Sequence, residues 1–238
     1  MGKVVLIGAG PGAADLITVR GARLLALAEV VLHDALISQE MLDLCPQALK
    51  VPVGKRNGKR STAQAAINQQ LVHYGLNHAL VVRLKGGDPM LFGRADEELA
   101  ALEQAGLEVE VVPGISTAFA AAAASLQPLT KRGSARSVAF FTSSSAPDLP
   151  ETTQLPDCDT LVQYMGGQKA VQTAEILLAQ GRAPNLPVLV IENCSLPNQR
   201  IQRMTLKQLQ LGLPDCDGPV LVMIGVAFEE RLQPTVDQ

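Results

Sequence analysis

Tryptophan is absent from the 238-residue chain, which has only two Tyr, five Phe and three His. Charge of one sign is missing too: 20 Lys and Arg stand against 23 Asp and Glu, for a net charge of −3. A nucleic-acid-binding chain typically shows a basic stripe interleaved with aromatics, and this one has no basic run at all. Nucleic acid is therefore not expected as a partner, although local clusters of Arg and Lys remain suited to an anionic small molecule. His33, His73 and His78 have no metal-ligand spacing. Cys45, Cys158, Cys194 and Cys216 lie far apart with no C-x-x-C, so reduced thiols are expected, with neither zinc nor a disulfide framework. The longest apolar run, residues 115–126, contains Ser and Thr and is too short for a membrane span. Met1-Gly2-Lys3 leads straight into the strand-like Val4–Ile7, so no signal peptide is expected. The expectation is a cytoplasmic protein with no metal and no membrane partner.

Hydrophobic residues make up 47% of the chain and charged ones 18%, a balance that predicts much buried surface. The length suits one large domain or two of roughly 100–120 residues each. Strand-like runs at Val4–Ile7, Val30–Leu32, Leu80–Leu84 and Val109–Val112 alternate with helical patterns. Thr18 is placed to cap a helix through Leu24 and Leu25. Ser61-Thr62-Ala63-Gln64 reads as a capping box opening a helix to about His73, and Ala95–Gln104 reads as a helix ended by Gly106. This βαβα rhythm predicts a largely parallel sheet covered by helices. The second half repeats the class with strands at Val138–Thr142, Thr160–Tyr164, Val188–Glu192 and Pro219–Ile224, and helices at Gln168–Gln180 and Leu206–Leu211. Pro113-Gly114 breaks the pattern before a small-residue helix at Ser116–Ser125. Two α/β domains are expected, 1–114 and 115–238, with the default ligand site in the cleft between them.

Two glycine loops follow strands. Gly8-Ala9-Gly10-Pro11-Gly12 begins like a dinucleotide-binding loop. Yet Pro11 and Gly12 interrupt it where a helix should start presenting N–H groups to a pyrophosphate. Gly86-Gly87-Asp88-Pro89 sits at the C-terminal end of a strand, where open α/β sheets bind ligands. Its glycines expose backbone, and the Asp88 carboxylate suits an amine or a ribose hydroxyl. Charge from Arg83, Lys85 and Arg94 crowds the same stretch.

These loops belong to an ordered set: Gly8–Gly12, Asp34–Ser38, Val53–Arg56, Arg83–Arg94, Val112–Thr117, Pro128–Gly133 and Tyr164-Met165-Gly166. In this order and spacing the set closely resembles the uroporphyrinogen-III C-methyltransferases of the tetrapyrrole methylase family, over nearly the whole chain. The resemblance implies two α/β domains, usually in a homodimer, with S-adenosylmethionine bound between them. It implies conversion of uroporphyrinogen III to precorrin-2 by two methylations, on the way to sirohaem, cobalamin or haem d1. Pro11, Gly86, Gly87, Asp88, Leu91, Ser116, Thr117, Met165 and Cys194 match the family's cofactor contacts. Asp34 matches its proposed proton acceptor, and Lys55 its proposed donor.

The chemistry agrees in outline. Methyl transfer from a sulfonium is an in-line displacement that needs positioning and dryness, with no metal. The methylated ring must then shed a proton, and a carboxylate such as Asp34 suits that task. Asp34 equally suits a helix cap, and Lys55 equally suits a clamp on substrate carboxylates. Arg56, Arg94, Lys131 and Arg132 are candidates for those carboxylates, with Glu97 one turn after Arg94 to orient it or to meet a pyrrole N–H. The competing readings are methylation of a later corrinoid intermediate and an NAD(P)-binding oxidoreductase using the first glycine loop.

Overall fold

Val4, Val5, Leu6 and Ile7 are all fully buried, so both faces of their strand are covered. That is the pattern of an interior parallel strand, not of one with a wet face. In the computed structural model, which describes residues 2–53, 64–143, 154–167, 169–213 and 215–229, they form β1 (Lys3–Gly8). The chain divides into two compact units, Met1–Thr117 and Ala118–Gln238.

In the first unit, β1 is followed by α1 (Val19–Leu25), β2 (Val30–His33), α2 (Gln39–Leu42), β3 (Leu49–Pro52), α3 (Gln64–Asn77), β4 (Leu80–Lys85), α4 (Ala95–Gln104) and β5 (Glu108–Val112). The strands pair in the order β3-β2-β4-β1-β5, and every pair is parallel. Thr18 caps α1 as its position predicts, its hydroxyl accepting from Gly21 N at 3.1 Å. Gly106, at φ +69°, ends α4 in the left-handed conformation that glycine adopts without strain. Alternate strand residues face opposite layers. Val5, Ile7, Val31, Val82 and Leu84 pack with Leu25, Met41 and Leu42 of α1 and α2. Val4, Leu6, Val30, Leu32 and Val81 pack with Ile67, Leu71 and Leu102 of α3 and α4. Right-handed crossovers require this division: the chain moves one way across the sheet through β2 and β3, then returns through β4 and β5.

The second unit holds α5 (Thr117–Ala124, beginning at the boundary), β6 (Val138–Thr142), β7 (Thr160–Tyr164), α6 (Ala170–Ala179), β8 (Pro187–Glu192), β9 (Arg200–Thr205), α7 (Leu206–Leu211) and β10 (Val220–Gly225). Its sheet runs β6-β7-β10-β8-β9, and here the expectation of a parallel sheet fails. Only β6 and β7 are parallel; the other three pairs are antiparallel. The cause is connection length. Residues 193–199 alone join β8 to β9, too few for the crossover that a parallel pair needs. One face packs on Leu177, Leu206 and Leu209, the other on Ala118 and Ala121. In the turn before β7, Asp159 Oδ2 accepts from Arg136 N, Ser137 N and Ser137 Oγ at 2.7–2.9 Å. It thereby pins the starts of β6 and β7 together.

Candidate active site

The first sheet brings its loops to one edge. Because all five strands are parallel, Gly8–Gly12, Asp34, Gly86–Asp88 and Pro113–Thr117 all follow C-terminal strand ends. β1 and β4 are neighbours whose following helices cover opposite faces, so the sheet has its switch point between them. The two glycine loops are stitched there. Gly87 N donates to Gly10 O at 2.7 Å, Gly10 N to Gly87 O at 3.2 Å, and Ala9 N to Lys85 O at 2.8 Å. Gly114 closes the group: a Cβ on it would lie 2.3 Å from Gly87 O and 2.7 Å from Gly8 Cα. Asp88 joins the same backbones, Oδ1 accepting from Met90 N at 2.8 Å and Oδ2 from Gly114 N at 2.9 Å.

Gly86 differs from these. It is exposed, its φ lies outside the left-handed region, and a Cβ on it would meet nothing within 4 Å. Neither packing nor backbone conformation requires glycine there, so its bareness leaves room for something to lie against the chain. The first loop does not complete a dinucleotide site. A single 3-10 turn (Ala14–Leu16) follows it, and α1 begins only at Val19, with its first turn already capped by Thr18.

Charge is concentrated beside these loops. Arg83 and Lys85, two residues apart, share the α4 face of β4. Arg83 Nε donates to Glu98 Oε1 at 3.0 Å, and Lys85 Nζ to Glu98 Oε2 at 2.9 Å. Arg83 Nη2 reaches Asp34 Oδ1 at 2.5 Å. Burial opposes the charge on Arg83, but Asp34 and Glu98 outweigh it and raise its pKa. Burial, with Arg83 beside it, pushes the Lys85 pKa down despite Glu98. Sequence reasoning assigned no role to Arg83, Lys85 or Glu98; the signal was two cations at alternate positions of an otherwise apolar strand. Arg94 forks onto Glu97, Nε to Oε1 at 2.6 Å and Nη2 to Oε2 at 2.8 Å, on the exposed start of α4. Leu91 is half-buried in the same loop, where Phe92 and Arg94 hold φ near +54° (53° and 55°). Pro11 is half-buried, Ser116 is buried and Thr117 opens α5. Lys55 and Arg56, with the capping box at Ser61, lie outside the described residues.

In the second unit, β7 and β8 both run antiparallel to β10, so both end at one edge of the sheet. Met165 follows β7 and Cys194 follows β8. Gly166 N donates to Val220 O, and Asn193 N to Pro219 O, which ties both ends to the start of β10. Backbone strain collects here: Met165, Asn193 and Ser195 all have φ between +50° and +65°. Cys194 is buried, and burial pushes its thiol up to about 11. Beside it, Glu192 accepts from Arg200 Nε and from Asp217 N and Gly218 N. The Arg200 bond is the main cause holding its carboxyl below the usual range. Lys131 and Arg132 sit elsewhere, on an exposed turn where Lys131 pairs with Ala135 and its ammonium lies 3.7 Å from Glu229. Among the described residues, no His, Cys, Asp or Glu cluster is fit to hold a metal ion, and no helix is long and apolar enough to cross a membrane.

Residues 3–210 match the family model of tetrapyrrole (corrin/porphyrin) methylases. The chain belongs to this family. It is 41% identical over 249 residues to siroheme synthase 1 of Pectobacterium atrosepticum, covering 100% of this chain and 52% of that one. The chain thus spans about half the length of the siroheme synthases it matches. Among solved structures it resembles uroporphyrin-III C-methyltransferase of Thermus thermophilus complexed with S-adenyl homocysteine, at 38% identity and TM-score 0.83, over 95% of this chain and 98% of that one. A cobalt precorrin-4 methyltransferase matches at 28% identity and TM-score 0.79, over 94% and 95% of the two chains. Family membership replaces the dinucleotide reading of the first glycine loop.

Proposed function

We propose that the chain is a C-methyltransferase that uses S-adenosylmethionine to methylate two neighbouring rings of uroporphyrinogen III, yielding precorrin-2. The observation that carries this reading is the Gly86-Gly87-Asp88 loop at the sheet's switch point, whose bare outer backbone at Gly86 no demand of the fold explains. Likeness to an enzyme named for this substrate and crystallised with the demethylated cofactor supports both the ligand and the acceptor.

When bound, S-adenosylmethionine supplies a methyl group made electrophilic by its positively charged sulfur. The chain's part is to hold that group in line with a ring carbon and to keep water out. Gly86 and Gly87 let the cofactor lie against the backbone, while Asp88 fixes the loop carrying them to Met90 and Gly114. Pro11, Leu91, Ser116, Thr117, Met165 and Cys194 supply the remaining contacts. Asp34, whose Oδ2 takes no hydrogen bond from the described residues, receives the proton that the methylated ring sheds. Arg94, oriented by Glu97, meets substrate carboxylates together with Arg56, Lys131 and Arg132; Lys55 serves as donor or as a further clamp. The reading includes a cytoplasmic homodimer, and sedimentation equilibrium tests its oligomeric state.

The deciding experiment is an anaerobic assay with S-adenosylmethionine and enzymatically generated uroporphyrinogen III, read by mass spectrometry. Gain of two methyl groups is expected. S-adenosylhomocysteine binding without methylation would move the substrate to a later corrinoid.

A further inference from the structure

Glu98 is completely buried, and its carboxylate is shared by two cations that are themselves almost fully buried, Arg83 and Lys85. Gln64 Nε2 adds a bond to Oε1 at 3.3 Å. Burying ions costs several kcal/mol each, and well-packed apolar side chains fill such a space with equal or greater stability. Stability alone therefore does not account for three charges inside the α3/α4 layer.

Their geometry does. Arg83 Nη1 donates to Leu84 O at 3.2 Å and reaches Leu32 O at 3.5 Å, while Nε is held by Glu98. These acceptors fix the plane of the guanidinium. Nη2 then points at Asp34 Oδ1, at the end of β2, where the Asp34 side chain is 31% exposed and Oδ2 takes no hydrogen bond from the described residues. Lys85 gives Glu98 a second cation, so the Glu98 charge is met without drawing Arg83 away from Asp34. Without Glu98, only the Nη1 contacts to Leu84 O and Leu32 O would hold the guanidinium that aims at Asp34.

We propose that Glu98 is a positioning residue: through the fixed guanidinium of Arg83 it holds the Asp34 carboxylate where Oδ2 receives the proton shed by the methylated ring. The inference rests on the reading of Asp34 as that acceptor. The proton passes to Oδ2, and the electron pair it leaves neutralises the ring cation.

The test is steady-state methylation by the full chain, with S-adenosylhomocysteine affinity measured calorimetrically for each variant. In Glu98→Gln, kcat should fall roughly tenfold or more, because displacing a catalytic group by about 1 Å is that costly, while KM and cofactor affinity stay within about twofold. Combined with Asp34→Asn, it should be no slower than Asp34→Asn alone, since both act on one step. Because Glu98→Gln strands Lys85 without its anion and risks misfolding, the charge-balanced pair Lys85→Met with Glu98→Gln is the second variant, with the same kcat loss expected. Undiminished kcat in either variant, or losses that multiply with Asp34→Asn, overturns the inference and leaves the methyltransferase reading standing. Full activity of Asp34→Asn removes the acceptor role and this inference together. No methylation by the parent chain removes the reading beneath both.

Discussion

Asp88 fixes the loop in which we place the cofactor, and replacing it by Ala separates two accounts of that loop. The substitution removes the acceptors for Met90 N and Gly114 N, at 2.8 and 2.9 Å. Each hydrogen bond to a carboxylate is worth about 1.5–3 kcal/mol when its acceptor is deleted. Asp88 is half-buried, so water recovers part of this, and a total loss of about 2–4 kcal/mol is expected. For a chain of this size that lowers Tm by roughly 4–16 °C. The two backbones it joins carry Gly87 and Gly114, so affinity for S-adenosylhomocysteine should weaken roughly tenfold or more, about 1.4 kcal/mol. Asp88→Asn keeps one acceptor and turns its amide donors toward the other N–H, so it should fall between the two on both measurements. Thermal melting and titration calorimetry on the same samples decide the matter. An Asp88→Ala variant that melts with the parent and binds the cofactor product equally would refute the argument at its root.

Other outcomes follow from the same geometry. Gly86→Ala should melt like the parent, since its Cβ meets nothing, yet bind S-adenosylhomocysteine more weakly; equal binding would take Gly86 out of the site. Gly114→Ala should be destabilised instead, because its Cβ would overlap Gly87 O at 2.3 Å. Arg94→Ala should raise the KM for tetrapyrrole with cofactor affinity unchanged, and a change in cofactor affinity alone would reassign it. With its thiol pushed up to about 11, Cys194 should stay protonated and resist iodoacetamide at pH 8; peptide mapping that finds it labelled as fast as an exposed thiol would contradict its burial. The Glu192 carboxyl, depressed first by Arg200, stabilises the fold above its unfolded value near 4.5, and that contribution is lost as pH falls through the lower folded value. The Tm gap between parent and Glu192→Gln should therefore be constant at neutral pH and close below that value; a gap unchanged down to pH 3 would refute it.

Interior strands were legible because burial on both faces writes itself as unbroken runs such as Val4–Ile7. Of the four edge strands, β5 and β6 carry apolar runs and were legible too, but two were not. β3 (Leu49–Pro52) and β9 (Arg200–Thr205) each lie at the rim of a sheet, where polar residues are tolerated, and their sequences carry no such run. The four-residue α2 is too short for a helical period to register. The direction of strands in the second unit was misread because apolar runs carry no sign; only the length of residues 193–199 distinguishes the two cases. At the candidate site, the glycine loops and Asp88 stood out by residue type and position. The Glu98 role was hidden because a Glu within an Ala-rich helix reads as solvated surface until Arg83 and Lys85 are seen to face it.

The parallel first sheet also dictates the order in which the chain can assemble. β1 is made first, yet its partners are β4 and β5, with Lys3 opposite Leu80 and Glu108. At typical synthesis rates the apolar segment from Val4 to Ile7 waits roughly 4–15 s for β4 to be made. β2 and β3 can pair before then, but the middle of the sheet stays open. Refolding from denaturant carries the same burden, because the central hydrogen bonds close only after a long loop has been ordered. Release from the ribosome before β5 leaves Val4–Ile7 uncovered on at least one edge, a sticky strand for chaperones to shield and a site at which truncated chains aggregate.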